Sequence, residues 1–242
     1  MYVVNHERRY LIYMFPKAGC STLRVLHAYL SAPRCAWGAE FFEDRHHGIQ
    51  RRDDNNMLAN WERYHDYAKV LVYRNPYERV VSLFFQKVCG VPAVTFRGQT
   101  YEEPIRLRPD MRTFAQFVDV LVTGHYHSDE HFCPQRMPPC RFDQVLELRS
   151  VATSLFAGLR PDLAAAVQDV LAYTQRTAWN EIPKTDHPPE SLADYDFYRD
   201  PDGLLTTGQV PCYAAMLTPA ICHTLDAFYH DDFTDPLLPN KT

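Results

Sequence analysis

Lys17 and Gly19, followed by Cys20, Ser21 and Thr22, stand in the octapeptide Phe15-Pro16-Lys17-Ala18-Gly19-Cys20-Ser21-Thr22. These residue types at this spacing suit an anion. Backbone N–H groups of a tight turn and of a helix start point at a bound phosphate, and the helix dipole favours it. Lys17 adds a point charge, and Ser21 and Thr22 add hydroxyl donors. A second group, Arg74 and Ser82, lies in Val72-Tyr73-Arg74-Asn75-Pro76-Tyr77-Glu78-Arg79-Val80-Val81-Ser82. A guanidinium and a hydroxyl together suit a second phosphate. The first loop has no Gly-Lys-Ser/Thr, and its lysine precedes the glycine, so it is not a Walker A loop. That argues against ordinary ATP or GTP hydrolysis.

The elements that must position these groups are legible in the hydrophobic pattern. Tyr10 to Phe15 is an apolar run that reads as a buried strand, and Leu23 to Leu30 has helical spacing. Lys69 to Tyr73 reads as a second buried strand, ended by Pro76, which suits the first turn of a helix running from Tyr77 to Val88. Further expectations are a helix from Leu58 to Tyr67, one from Thr113 to Val122, a strand Gln144–Leu148, helices Ser150–Leu159 and Pro161–Ala172, and a helix capped by Thr218-Pro219. Residues 90–110 read as a long loop. Strands alternating with helices predict an α/β fold with a P-loop-like central parallel sheet flanked by helices. No composition break marks a second domain, so residues 1–242 are expected to form a single domain. Both phosphate groups would then sit at the carboxyl ends of the strands, where open α/β sheets bind ligands.

Composition narrows the partners. The net charge of −5 gives no overall basic field for nucleic acid. Local basic clusters at Arg51-Arg52 and at Arg97, Arg106, Arg108 and Arg112 are either solvated loops or the rim of an acidic-substrate site. No run of about 18 apolar residues predicts a membrane span, and the N-terminus lacks the apolar core of a signal peptide. Seven scattered cysteines suit a reducing compartment, with Cys133 and Cys140 the pair close enough to bridge. The expected location is cytoplasmic, or the Golgi lumen if this chain is part of a longer Golgi enzyme.

The first octapeptide resembles the 5′-phosphosulfate loop of sulfotransferases that use 3′-phosphoadenosine-5′-phosphosulfate (PAPS), and the segment Val72–Ser82 resembles their 3′-phosphate motif. Within that group the chain is most similar to Golgi carbohydrate sulfotransferases of the chondroitin/dermatan 4-O and HNK-1 type. His131-Phe132-Cys133-Pro134-Gln135, with Cys140 and Phe142-Asp143, resembles their His-Trp-x-Pro segment with its later Cys and Tyr/Phe-Asp. Phe228 to Phe233 resembles their Tyr-x-x-Asp-Phe ending. Asn75 stands where the family carries Asp or Glu before the proline.

The resemblance implies PAPS as sulfo donor, a carbohydrate or other hydroxyl-bearing acceptor, and no required metal. It assigns Pro16, Lys17, Ala18, Gly19, Cys20, Ser21 and Thr22 to the 5′ end of the donor, and Arg74 and Ser82 to its 3′-phosphate. Lys17 would also stabilise charge in the reaction. By similarity to uronyl 2-O-sulfotransferases the general base is a histidine between the two motifs, His47 first and His46 second, with His131 third. Arg79 is expected to form a salt bridge or cover a helix face. Three rival readings stand beside this one: a P-loop-like small-molecule kinase, a non-catalytic PAPS- or glycan-binding protein, and a metallohydrolase using His125, His127 and His131, whose segment nearly spells His-x-His-x-Asp-His.

Overall fold

The structure is a computed structural model that describes residues 1–32, 61–89, 95–96, 99–100, 111–124, 131–174, 184–187, 191–197, 199–200, 204 and 210–235. In chain order the main elements are β1 (Tyr2–Asn5), β2 (Tyr10–Met14), α1 (Cys20–Leu30), β3 (Ala68–Tyr73), α2 (Pro76–Leu83, continued by a wide turn over Phe84–Val88), α3 (Phe114–Val122), β4 (Gln144–Glu147), α4 (Val151–Ser154), α5 (Pro161–Thr174), α6 (Pro219–Phe228) and α7 (His230–Thr234). By its internal contacts the chain groups into two compact units. The first takes its described residues from Met1–Arg74, Gln135–Asn180 and Asp235–Pro239, and the second from Asn75–Pro134 and Glu181–Thr234.

The first unit is built on a four-stranded sheet in the order β1-β2-β3-β4. β2, β3 and β4 are parallel, and β1 is an antiparallel edge strand that the hydrophobic pattern does not predict. Side-chain alternation explains both faces. Ile12, Met14, Val70, Val72 and Leu146 point into a core shared with Leu23, Leu26 and Leu30 of α1 and Leu163, Val167 and Val170 of α5. Leu11, Tyr13, Leu71 and Tyr73 face the other way, covered by Trp61, Tyr64, Met137 and Phe142. A strand buried on both faces has no polar face to show, which is why β2 and β3 read as continuous apolar runs. The described part of the helix expected over Leu58–Tyr67 is a single 3₁₀ turn, Trp61–Tyr64.

Lys69 is the exception within β3. It is buried, and its ammonium donates to the carbonyls of Tyr64 and Tyr67 and lies 3.4 Å from the Asp143 carboxylate. The Asp143 carboxylate also accepts from the Lys69 N–H at 2.8 Å. The charge is tolerated because it is paired and hydrogen-bonded.

The helix expected over Ser150–Leu159 stops at Ser154. Leu155 turns extended and Phe156 takes a positive φ of 63°. The Gln144 amide holds this turn, donating to the Ser154 carbonyl at 2.7 Å and accepting from the Phe156 N–H at 3.0 Å. The fully buried Phe156 ring thereby packs 5.3 Å from that of Tyr10.

The second unit has a separate core, centred on Phe84, whose ring lies 5.3–5.5 Å from those of Phe85, Phe114, Phe117 and Phe197. Helix α3 begins with a reciprocal capping box between Thr113 and Gln116, and α6 begins with Thr218 accepting from the Ile221 N–H ahead of Pro219. Within residues 90–110, Thr95–Phe96 and Gln99–Thr100 pair as a short antiparallel hairpin. Arg112 forms an ion pair with Asp196, so it belongs to the fold of this unit. No helix among the described residues is long and apolar enough to cross a membrane.

His27, on the sheet-facing side of α1, is 8% exposed, and its Nδ1 lies 2.9 Å from the Tyr10 hydroxyl. Burial pushes the imidazole pKa down from 6.5 to about 4. The folded state therefore holds His27 neutral, while the unfolded chain takes up a proton as the pH falls below 6.5. Stability is whole above that pH and declines as the pH drops toward 4, by about 3 kcal/mol in total from this residue. Between pH 7.5 and 4.5, wild type should lose about 2–3 kcal/mol more stability in urea unfolding than His27→Gln does. Equal losses in the two proteins would show that His27 is charged in the fold.

Candidate functional site

The loop Phe15–Gly19 joins the carboxyl end of β2 to α1. The Ala18 N–H donates to the Phe15 carbonyl at 3.0 Å, closing a four-residue turn with Pro16 second and Lys17 third. Lys17 has a φ of 67°. Proline at the second position and a positive φ at the third define a type II turn, which ordinarily takes glycine at that third place. Gly19 follows in the left-handed region at φ 79° and opens α1.

The loop is held from three sides. The Cys20 thiol donates to the Phe15 carbonyl at 3.1 Å. Burial raises the pKa of that thiol, so it stays protonated and able to donate. Leu148, just past β4, packs under Gly19 so closely that a Cβ on the glycine would lie 2.3 Å from Leu148 Cδ1. From just past β3, Arg74 Nη1 donates to the Lys17 carbonyl at 3.0 Å. β2 and β3 are neighbours with Met14 opposite Val72, so the two motifs leave adjacent strand ends. The first turn of α1 carries no acidic side chain. N–H groups at a helix start lack intrahelical acceptors, so this turn offers donors and a positive dipole end to an anion.

The predicted site residues divide accordingly. Pro16, Lys17, Ala18, Gly19, Cys20, Ser21, Thr22 and Arg74 all fall in the first unit, and the structure brings Lys17 and Arg74 together. The Ala18 side chain is buried and the Cys20 thiol is turned to Phe15, so these two would reach a ligand through their backbones. Ser82 lies half-buried on α2, in the second unit. His46 and His47 lie outside the described residues, as do His125, His127 and the basic residues Arg51, Arg52, Arg97, Arg106 and Arg108. His131 is in the second unit, where its carbonyl accepts from Arg79. Among the described residues no three His, Cys, Asp or Glu side chains group to hold a metal ion. Cys133 and Cys140 are not joined in a disulfide.

Three residues of this neighbourhood carry no assignment from sequence. Gln135 clamps Arg74: its Oε1 accepts from the Arg74 N–H at 3.0 Å and its Nε2 donates to the Arg74 carbonyl at 2.8 Å. The available signal was its place directly after Pro134 in the segment of resemblance. Glu147 ends β4 opposite Tyr73. Burial, and secondarily the Glu147 charge, push the Tyr73 phenol up to about 12. Leu148 carried no signal, since its role is steric.

Arg79, expected to form a salt bridge or cover a helix face, is buried in the second unit. It is 1% exposed and donates to the carbonyls of His131 and Cys133, each at 2.8 Å, with its guanidinium 6.0 Å from the centre of the Tyr229 ring. The Tyr229 hydroxyl donates to the Phe132 carbonyl at 3.1 Å. Asn75, the departure from the Asp or Glu of similar chains, caps α2 by accepting from the Tyr77 N–H at 3.0 Å. Asn and Asp are equally good at that position.

The model of the Sulfotransferase family matches residues 1–234. The chain belongs to the sulfotransferase family. It is a transferase of sulfo groups with an α/β fold, and its acceptor bears a hydroxyl. No curated protein and no solved structure matches it.

Gly19→Ala should destabilise the protein by about 2–4 kcal/mol, from the left-handed backbone and the clash with Leu148 together. In Gly19→Ala/Leu148→Ala the clash disappears and only the backbone cost is added to the loss of the leucine. The two changes should therefore combine to less than their sum in urea unfolding. Strict additivity would mean that the loop does not rest on Leu148.

Proposed function

We propose that this sulfotransferase moves the sulfo group of PAPS to a hydroxyl of a carbohydrate. The observation that carries the donor assignment is the Arg74–Lys17 hydrogen bond, which draws the two nucleotide motifs to one place at adjacent strand ends. The resemblance of residues 131–135 and 228–233 to carbohydrate sulfotransferases supports the acceptor class. Residues 131–133 of the first segment and Tyr229 of the second are bound together within the second unit, through Arg79 and the Tyr229 hydroxyl.

When bound, PAPS supplies the sulfo group and 3′,5′-ADP as leaving group. In this reading the Lys17 ammonium and the N–H groups at the start of α1 neutralise charge on the 5′-phosphate as it departs. Pro16, Ala18, Gly19 and Cys20 shape the turn that presents those groups, and Ser21 and Thr22 belong to the same helix start. Arg74 and Ser82 recognise the 3′-phosphate, whose presence separates PAPS from adenosine donors that lack it. His47 takes the proton of the acceptor hydroxyl, with His46 beside it in sequence. The scheme asks for no metal.

At about one hundred times its Kd, 3′,5′-ADP should raise Tm by about 5–10 °C, since a ligand that binds only the folded state contributes about 2.7 kcal/mol at that excess. Lys17→Ala and Arg74→Ala should each remove most of the shift at the same concentration. A wild-type protein unmoved by saturating 3′,5′-ADP would end the donor assignment, and a larger shift with ATP would favour a kinase.

His47→Ala should keep the thermal shift while lowering kcat by about 10²- to 10⁴-fold, the usual range for loss of a general base. The assay is transfer of labelled sulfo group from PAPS across a panel of glycans and simple alcohols. Turnover that survives the substitution would move the role elsewhere, and His46 is then the next side chain to test, with His131 after it. Transfer to the alcohols but to no glycan would reject the carbohydrate acceptor.

A further inference from the structure

Gln135 is 1% exposed, and both ends of its amide meet the backbone of one residue, Arg74. The exchange of both hydrogen bonds with a single residue is the pattern of a hydrogen-bonded antiparallel pair, made here by a side chain. β3 ends at Tyr73, so the amide continues strand-like pairing one residue past the last strand residue. Arg74 is also the last residue of the first unit before the chain leaves it, and Gln135 is the first on its return. With its N–H and carbonyl both held, Arg74 has its Cα–Cβ direction fixed, and its Nη1 meets the Lys17 carbonyl at 3.0 Å.

We infer that Gln135 is a positioning residue that sets selectivity for the 3′-phosphate by holding the backbone of Arg74. The inference rests on the PAPS reading, in which Arg74 receives that phosphate. Gln135 does not touch the nucleotide in this scheme. It removes the alternatives open to Arg74, so that the guanidinium need not be ordered when the ligand arrives. Glutamine is specifically required, because the site presents one N–H and one carbonyl. A carboxylate would accept from the first and repel the second, and an aliphatic side chain would offer nothing to either.

The test is calorimetric titration of 3′,5′-ADP and of 5′-AMP, which lacks the 3′-phosphate, into wild type, Gln135→Leu, the isosteric Gln135→Glu, Arg74→Ala and Arg74→Ala/Gln135→Leu. Wild type should prefer 3′,5′-ADP. In Gln135→Leu that preference should fall by about 10- to 100-fold, the scale of one well-placed charge-assisted hydrogen bond. Binding of 5′-AMP should stay within about threefold, because loss of the clamp acts through Arg74 alone. Gln135→Glu should show a smaller fall in the same direction. In the Arg74→Ala background, Gln135→Leu should leave the preference unchanged.

An unaltered preference in Gln135→Leu overturns the proposal. So does an equal fall in the Arg74→Ala background, which would place the effect outside Arg74. Failure of both single Gln135 variants to fold, judged by circular dichroism and thermal melting, would make the clamp a folding element and would likewise reject it. If wild type itself binds the two nucleotides equally, the donor assignment fails first, and that outcome is seen without any Gln135 variant.

Discussion

Arg74 reaches the carbonyl of Lys17 because β2 and β3 are parallel neighbours in a fixed register, and the candidate site depends on that pairing. Two strands that run side by side deliver the residues after them to the same edge of the sheet. Here Met14 stands opposite Val72, so the turn that follows one strand and the arginine that follows the other meet within hydrogen-bond distance. The register is fixed by the core. A slip of β3 by one residue against β2 would turn Val70 and Val72 away from α1 and α5 and replace them with Leu71 and Tyr73. It would also move Arg74 by about 3.3 Å along the strand. Apolar packing and the geometry of the anion site are thus one constraint, expressed at two ends of the same strands.

The loop itself carries a cost. Lys17 sits at a backbone position made for glycine, which for an ordinary residue costs about 1 kcal/mol. Pro16 reduces the freedom lost on forming the turn, since its φ is already set. The Phe15 carbonyl takes two donors, the Ala18 N–H and the Cys20 thiol, and the Lys17 carbonyl takes a third donor from Arg74. A glycine in place of Lys17 would relieve the strain and lose the charge. Local strain retained at a charged residue, over-determined by its surroundings, marks a position chosen for chemistry.

The parts of this arrangement that were legible in the sequence are those carried by local patterns. The buried strands, the lysine- and glycine-bearing turn and the arginine after β3 each announce themselves within a dozen residues. β1 did not, because four residues near a terminus show no periodicity that separates a strand from its surroundings. The early stop of α4 is likewise hidden, because the decision belongs to Gln144, a residue of the strand before it that binds both sides of the turn at Phe156. Gln135 stands in a recognisable motif yet shows no role there, since its partner lies 61 residues away and is a piece of backbone. Side chains that act on distant backbone leave no spacing to read. The histidines between the motifs, the residues on which the base assignment depends, lie outside the described structure, so their role stands on resemblance.

The two arginines of the second motif show why residue type alone does not assign function. Arg74 and Arg79 are five residues apart, yet one closes on the loop of the first unit and the other is buried in the second. Arg79 is tolerated there because its donors meet the carbonyls of His131 and Cys133 and its guanidinium carbon lies over the Tyr229 ring. Between those two carbonyls, the Phe132 carbonyl takes the Tyr229 hydroxyl, and two residues past Cys133 the Gln135 amide takes the backbone of Arg74. Residues 131–133 are therefore fixed at three points within the second unit, by Arg79 of the motif and by Tyr229 between the C-terminal helices, while Gln135 binds the backbone of Arg74 within the first. The buried arginine thus fixes the backbone of one segment of resemblance, while its neighbour five residues earlier closes on the loop of the first unit, and only the partners of each distinguish the two.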